Sequence, residues 1–153
     1  MNLHLMSSAP FEKSVSVMPE DIDEQNHVNN TVYLRWVQEV ATAHWKAIAS
    51  REAQKGIGWV VLRHEIDYKA PACLGDDVVL RTWVGQATRL TFERFTEIRR
   101  SSGGRLWSKA RTLWCPLMRK PAGQCACRST CASSFRVEFR CARFSLLACG
   151  TAR

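Results

Sequence analysis

The side chains best suited to chemistry are grouped in the segment DIDEQNHVNN, from Asp21 to Asn30. Two carboxylates, Asp21 and Asp23, and the imidazole of His27 precede a stretch of apolar residues at helical spacing. Carboxylates and imidazoles act as general bases or nucleophiles, and the unpaired N–H groups at a helix start can stabilise an oxyanion. Acids before a helix are, however, most often caps or solvated loop residues.

A long helix must position this segment. After Asn29 and Asn30, either of which can serve as the N-cap, apolar positions recur at helical spacing. They are Tyr33, Trp36, Val37, Val40, His44 and Ile48. The spacing predicts a helix over residues 31–49, about 28 Å long. Its stripe, including Ile48, is predicted to be buried.

Five strands are predicted around the helix from alternating β-branched and aromatic residues. They cover residues 11–17, 59–68, 77–84, 90–99 and 106–117, with a hairpin turn at SSGG between the last two. No further helix is predicted. Because a sheet of this length can bury the helical stripe by curling around it, we expect an α+β fold with a five-stranded antiparallel sheet wrapped around one long central helix.

The composition predicts a cytoplasmic protein that folds without disulfides or metals. The chain has 153 residues, of which 46% are hydrophobic and 24% charged. No apolar run is long enough to span a membrane, and the first residues lack the pattern of a secretory signal. Residues 1–118 hold 15 Lys and Arg against 13 Asp and Glu. Since this part is nearly neutral, no nucleic-acid or membrane partner is predicted.

Two separated stretches resemble a known family. The pattern of Asp21, Asp23, His27-Val-Asn-Asn and Tyr33 resembles the 4-hydroxybenzoyl-CoA thioesterase-like branch of hotdog-fold acyl-CoA thioesterases. The stretch IDYKAPACLGDDVVL, residues 66–80, is similar to the family's join between its second and third strands, and ARTLWC is similar to its last strand. The resemblance covers about residues 11–118 and implies the hotdog fold, in agreement with the strand and helix order read independently.

One position departs from the family pattern. The family usually has Gly immediately before His-Val-Asn-Asn, and this chain has Asn26. A glycine there suggests a backbone position with positive φ, and Asn is the other residue that tolerates this conformation best. We therefore expect Asn26 to preserve the turn.

The resemblance implies thioester hydrolysis and assigns roles within the segment. Asp23 is the nucleophile or the general base, whereas Asp21 is interpreted as structural. The backbone N–H of Asn30 is the best candidate for polarising the thioester carbonyl. His27 either takes part in the catalytic site, by orienting the carbonyl or a water, or only braces the loop.

Three further residues are candidates for substrate binding, and each has a structural alternative. Asn29 could instead cap the helix, Tyr33 could be a core residue, and His64 could be a surface residue of its strand. His44 is interpreted as a packed helix histidine. Basic residues are expected where the CoA phosphates bind. The candidates by charge alone are Arg89, Arg94, Arg99, Arg100 and Arg105.

The last part of the chain, residues 119–153, is predicted to be an atypical tail outside the domain at residues 1–118. It holds 7 Lys and Arg, one acid and five of the seven cysteines. Its first three cysteines, Cys125, Cys127 and Cys131, lack a paired CxxC or a nearby His, so no metal site is predicted. Since the family-like sequence stops abruptly at its start, we interpret the tail as a shifted reading frame.

The leading hypothesis is an acyl-CoA thioesterase acting on a small or medium acyl or aroyl group, with no cofactor other than the CoA of its substrate. A homodimer or homotetramer is expected, because a lone sheet exposes a long edge. Two alternatives stay open. One is a thioesterase for acyl carrier protein, and the other is a non-catalytic acyl-binding hotdog module, against which the retention of Asp23 argues.

Overall fold

The computed structural model describes residues 9–88 and 90–118. Its strands are β1 (Phe11–Ser16), β2 (Ile57–Tyr68), β3 (Asp77–Ala87), β4 (Phe92–Arg100) and β5 (Leu106–Met118). Helices α1 (Asn30–Ile48) and α2 (Arg51–Gly56) lie between β1 and β2, and a 3-10 turn at Pro19–Asp21 follows β1. The predicted tail at 119–153 lies outside the described residues.

The five strands form one antiparallel sheet in the order β1-β3-β4-β5-β2. The predicted five-stranded antiparallel sheet is therefore confirmed, with β1 and β2 at its edges. The predicted hairpin between β4 and β5 is also present, and Gly103 and Gly104 supply its positive φ angles of 76° and 64°. A shift of register at Leu62 places a bulge in β2.

Helix α1 packs on one face of the sheet through the predicted stripe. Trp36, Val37 and Val40 are at most 2% exposed and form the core with Val78 and Leu80 of β3 and Ile98 of β4. Full burial of one such side chain contributes about 1.5–3 kcal/mol. The stripe therefore fixes which side of α1 faces the sheet.

The prediction that Ile48 is buried is wrong. Its side chain is 44% exposed, because it is the last residue of α1 and lies beyond the packed part of the stripe. Helix α2 was also not predicted. It has only six residues, of which none is buried, so no apolar period marks it in the sequence. The side chain of Ser50 caps it by accepting a hydrogen bond from the Ala53 N–H.

Strand boundaries differ from the predictions by a few residues. Strand β2 begins two positions earlier than predicted, and β3 continues to Ala87. Strand β4 begins at Phe92, because Thr88 and Thr91 close a turn through a 2.8 Å backbone hydrogen bond. Within residues 9–88 and 90–118, no helix is long and apolar enough to cross a membrane.

Candidate active site

The segment between β1 and α1 forms a small closed turn against the start of α1. Ile22 and Val28 pair as an antiparallel bridge, and the Asp23 N–H donates to the His27 carbonyl at 2.9 Å. The Val28 N–H donates to the carbonyl of Ala72 at 2.9 Å, which ties the turn to the β2–β3 connection. Asn26 has a φ of 61°, so the positive φ expected there is confirmed.

Asp21 braces this turn. Its side chain is 1% exposed, and its two oxygens accept hydrogen bonds from Arg35 Nη2 and from the Met18 N–H at 3.0 Å. Its carbonyl accepts the N–H of Asn29, the residue that caps α1. Both carboxylate oxygens are therefore used to hold the loop in place.

Asp23 is partly exposed and differs from Asp21 in its partners. Its Oδ1 accepts the Gln25 N–H at 2.9 Å and, more weakly, the His27 N–H at 3.5 Å. Among the described residues, Oδ2 accepts no hydrogen bond. Backbone groups thus hold the carboxylate through one oxygen and leave the other oxygen for a substrate or a water.

Counting partners among the described residues, the start of α1 carries one unpaired backbone donor. The N–H groups of Asn29, Thr31 and Val32 donate to Asp21 O, Asn29 Oδ1 and Asn29 O, each at 2.9 Å. Asn30 is the first helical residue and is exposed. In the part of the chain that the structure describes, its N–H has no acceptor. A free N–H at the positive end of a helix dipole can stabilise a developing negative charge.

The remaining predicted site residues have partners of different kinds. The side chain of Asn29 is the N-cap and also accepts the Thr31 hydroxyl at 2.7 Å. Tyr33 is 2% exposed, its hydroxyl accepts the Ala72 N–H at 2.9 Å, and burial raises its pKa. The imidazole of His27 is partly exposed and makes no hydrogen bond with the described residues. The contacts of Asn29 and Tyr33 hold the helix start and the β2–β3 connection in place. They do not test substrate binding by these two residues, which stays a prediction.

His64 lies away from the helix start within the protomer. Its Nδ1 is 2.9 Å from the hydroxyl of Thr112 on β5. Tyr68, four residues further along β2, donates its hydroxyl to the Asn30 carbonyl at 3.2 Å. Four residues of strand span about 13 Å, so the structure brings Tyr68 to the helix start and leaves His64 further along the sheet.

The arginines proposed as phosphate ligands separate into different places. Arg89 lies outside the described residues. Arg99 donates to Glu97 on its own strand, and Arg94 lies under α1 with its Nη1 2.9 Å from His44 Nδ1. Arg100 and Arg105 line a cleft with a volume of about 410 Å³, which is also lined by Pro71 and Cys73, the two neighbours of Ala72.

The cluster around Arg94 is the main feature that sequence reasoning missed. Arg94 also donates to the Thr82 hydroxyl at 3.2 Å, and desolvation lowers its pKa to about 10. The ring of His44 stacks on Phe11 with centroids 5.1 Å apart. Burial, followed by the charge of Arg94, lowers the pKa of His44. The interpretation of His44 as a packed histidine is confirmed, because its side chain is 7% exposed and contacts Arg94.

A profile of the thioesterase-like superfamily matches residues 17–123. The chain belongs to this superfamily. The match includes the Asp23 turn, the start of α1 and all strands after β1. The predicted relationship to hotdog-fold thioesterases is therefore confirmed. Among curated protein sequences, none gives a significant match.

Solved structures place this thioesterase-like chain in the hotdog fold. Slr0204, a 1,4-dihydroxy-2-naphthoyl-CoA thioesterase from Synechocystis, is 19% identical with a TM-score of 0.64 over 72% of this chain and 84% of its own. YbaW, a probable thioesterase from Escherichia coli, is 23% identical with a TM-score of 0.63 over 71% and 84%. SAV2348 from Staphylococcus aureus, solved in complex with CoA, is 18% identical with a TM-score of 0.64 over 71% and 70%. These identities show the fold alone.

The contact of Arg35 with Asp21 is a second feature that the sequence did not reveal. The two residues are 14 positions apart, and Arg35 lies on the exposed side of α1, where an arginine needs no special explanation. Within residues 9–88 and 90–118, no three His, Cys, Asp or Glu side chains are grouped as metal ligands. The groups available at the site are the Asp23 carboxylate in the turn and the backbone N–H of Asn30 at the start of α1.

Proposed function

We propose that this protein is a cytoplasmic acyl-CoA thioesterase that hydrolyses a small or medium acyl or aroyl thioester to the free acid and CoA. The observation that carries the proposal is the N–H of Asn30, which has no acceptor among the described residues and follows directly on the turn that contains Asp23. Membership in the thioesterase-like superfamily supports it, and so does the fold relative that was solved with CoA.

In the proposed mechanism, the thioester carbonyl oxygen accepts a hydrogen bond from the Asn30 N–H. Negative charge develops on this oxygen as the carbonyl carbon becomes tetrahedral. The helix start carries about half of a positive elementary charge, so it stabilises the tetrahedral state more than the neutral thioester. Loss of a single donor of this kind slows turnover by about 10²–10³-fold in other enzymes.

Asp23 supplies the second part of the proposed mechanism, by one of two routes. In the first, Oδ2 attacks the carbonyl carbon, the C–S bond breaks and CoA leaves as its thiolate, and water hydrolyses the resulting anhydride to the free acid and the restored carboxylate. In the second, the carboxylate removes a proton from a water that attacks the same carbon, and the tetrahedral intermediate collapses with loss of the CoA thiolate. Both routes need a carboxylate oxygen that is available to the substrate or a water, and Oδ2 of Asp23 accepts no hydrogen bond from the described residues.

We propose that the working unit is a homodimer paired through β2. This edge strand has 12 residues, twice the six of β1, and carries Val60 and Leu62 at 40% and 48% exposure. A long edge strand with exposed apolar residues is a template for pairing with another chain. Pairing through β2 would also cover Tyr68, which contacts the helix start.

The decisive experiment compares two substitutions at residue 30. Proline is favoured at the first position of a helix, and Asn29 already has a φ of −58° and a ψ of 140°, which a following proline accepts. Asn30→Pro therefore removes the donor and should keep the helix. We expect about 10²–10³-fold slower release of free thiol from a panel of acyl- and aroyl-CoAs. Asn30→Ala keeps the N–H and should stay within about twofold of the wild type.

Asp23→Asn tests the carboxylate in the same assay. The amide keeps an oxygen that can accept the Gln25 N–H, so the turn should be retained while the charge is lost. We expect hydrolysis to fall by about 10²-fold or more, since proton transfer of this kind contributes about 10²–10⁴-fold. Wild-type rates in Asp23→Asn or Asn30→Pro, with unchanged circular dichroism, would contradict the assigned role. Assaying the same acyl groups on acyl carrier protein tests the alternative carrier.

A further inference from the structure

We propose that the cleft between the β2–β3 connection and the β4–β5 hairpin binds a phosphate group of CoA, with Arg105 as its principal ligand. The inference rests on the proposed function and names the part of the substrate that this face of the protein holds. The cleft has a volume of about 410 Å³ and is lined by Pro71, Cys73, Asp76, Arg100, Arg105 and Trp107. Its size is within the range of small-ligand sites.

The cleft and the candidate active site share one backbone segment. Ala72 accepts the Val28 N–H at 2.9 Å and donates its own N–H to the Tyr33 hydroxyl at 2.9 Å. Its neighbours Pro71 and Cys73 both line the cleft. One wall of the cleft is therefore fixed to the turn and to the first turn of α1. In CoA the phosphates are separated from the thioester by the long pantetheine arm, so the two groups need neighbouring but separate sites.

The cleft carries more positive than negative charge. Arg100 forms an ion pair with Asp76 at 3.2 Å, and the other oxygen of Asp76 accepts the Cys73 N–H at 2.9 Å. Arg105 is exposed and has no carboxylate within ion-pair distance among the described residues. Two guanidinium groups thus face one carboxylate. A guanidinium presents paired N–H donors that match the oxygens of a phosphate.

The hairpin holds the two arginines together in a defined way. The Arg100 N–H donates to the Arg105 carbonyl at 2.8 Å, so the two residues close the hairpin. Trp107, at 2% exposure, forms the floor, and its carbonyl accepts the N–H groups of Lys69 and Ala70 at 2.7 and 3.2 Å. These bonds fasten the hairpin to the β2–β3 connection, which keeps both walls of the cleft in place before a ligand binds.

The charge of the cleft favours CoA over acyl carrier protein as the carrier. CoA ends in a diphosphate and a 3′-phosphate monoester, which is doubly charged when fully ionised. The pantetheine arm of a carrier protein is attached through a single phosphodiester. A small cleft with one guanidinium that pairs with no described carboxylate can hold a phosphate monoester, whereas a carrier protein needs a broad surface. We therefore assign the cleft to CoA.

The first test compares the KM for a CoA thioester with the KM for the N-acetylcysteamine thioester of the same acyl group, which has no phosphate. With the best acyl group of the panel in both forms, Arg105→Ala should raise the KM for the CoA thioester about tenfold with little change in kcat, because a hydrogen bond to a charged group is lost. Arg81→Ala is the matched control, since Arg81 pairs with Glu12 between the buried Leu80 and Thr82 and so points to the other sheet face. An unchanged KM in Arg105→Ala would overturn the inference.

A second test does not need activity. Cys73 is exposed and lines the cleft, so bound CoA should slow its alkylation by iodoacetamide, followed by peptide mass spectrometry. We expect weaker protection in Arg105→Ala, and comparison with 3′-dephospho-CoA shows which phosphate is bound. If neither thioester is hydrolysed, the proposed function fails, and the protection of Cys73 still shows whether CoA binds in the cleft. If CoA thioesters are hydrolysed but CoA leaves Cys73 unprotected, only the cleft assignment is wrong.

Discussion

At the scale of single residues, the two acids of the turn are distinguished by what contacts them. Asp21 and Asp23 are two positions apart and chemically identical. Asp21 has both oxygens bonded and is buried, whereas Asp23 has one oxygen to which none of the described residues donates. Composition and spacing alone could not assign different roles to the two acids, because the side chain that contacts Asp21 is that of Arg35, 14 positions later in the chain. The contacts of Asp21 are those of a structural residue, and the catalytic role that the family resemblance implies for Asp23 stays a prediction.

Asn26 allows a prediction about the stability of the turn. Its φ of 61° costs an ordinary L-residue about 1–2 kcal/mol, and Asn and Gly are the residues that adopt it most readily. We expect Asn26→Ala to lower the free energy of unfolding in urea by about 1 kcal/mol. Asn26→Gly should stay within about 0.5 kcal/mol of the wild type, since its larger unfolded-state entropy offsets the relief of strain.

The neighbouring Gln25 provides the control for this prediction. Its side chain is exposed, and only its backbone N–H is bonded within the turn. Gln25→Ala should therefore change stability by less than about 0.5 kcal/mol. Equal losses in Asn26→Ala and Gln25→Ala would show that the positive φ is not the cause. Here the sequence was sufficient, because the family position and the conformational preference of Asn pointed to the same backbone geometry.

At the scale of elements, periodicity predicted which residues of α1 face the sheet but not what they meet there. Apolar spacing placed His44 on the inner side together with Val37 and Val40, and all three are buried. The contact between His44 and Arg94 depends on the position of α1 along the strands. The pattern of hydrophobic residues carries no information about this position. The same limit explains the error at Ile48, which has the right spacing but lies past the packed surface.

The contact between His44 and Arg94 predicts a dependence of stability on pH. Burial and the nearby guanidinium lower the pKa of His44, so the folded state takes up a proton less readily than the unfolded chain. Stability from this residue is therefore complete above the unfolded pKa of about 6.5 and decreases as the pH falls below it. His64, whose pKa is lowered by burial, acts in the same direction.

Urea unfolding at pH 7.5 and pH 5.5 measures this effect. The wild type should lose free energy of unfolding between the two pH values, and His44→Gln should lose less because residue 44 no longer titrates. Carboxylates that titrate in the same interval contribute equally to both proteins, so the difference isolates His44. An identical pH dependence in the two proteins would show that Arg94 and burial do not disfavour the charged imidazole.

At the scale of the whole molecule, the order of strands in the sheet was beyond the reach of sequence pattern. Alternation identified five strands, yet it does not tell that β1 pairs with β3 or that β2 pairs with β5. Those pairings depend on contacts between residues far apart in the chain. They place β2 at an edge, and this edge is the feature from which we infer the dimer.

A lysine at the edge of β2 tests that dimer. Leu62 lies at the bulge of β2 and is 48% exposed, and a charge on an edge strand opposes pairing with a second strand. We expect Leu62→Lys to be monomeric by light scattering. Its rate of thioester hydrolysis should fall about tenfold or more, because the second subunit no longer supports the geometry of the site. Leu90→Lys, at 54% exposure beyond the end of β3, is the control and should keep the wild-type mass. A dimeric Leu62→Lys would place the interface elsewhere.

The donor at the start of α1 belongs to the main chain, and this has a consequence for how the protein can change over generations. Every amino acid except proline supplies a backbone N–H group at position 30. Mutations there can therefore alter the outward-facing side chain, which is exposed, while the hydrogen bond that we assign to the oxyanion persists. The side chain at position 30 and the donor that we assign to the oxyanion are thus different atoms of one residue, so substitutions other than proline can change the first and retain the second.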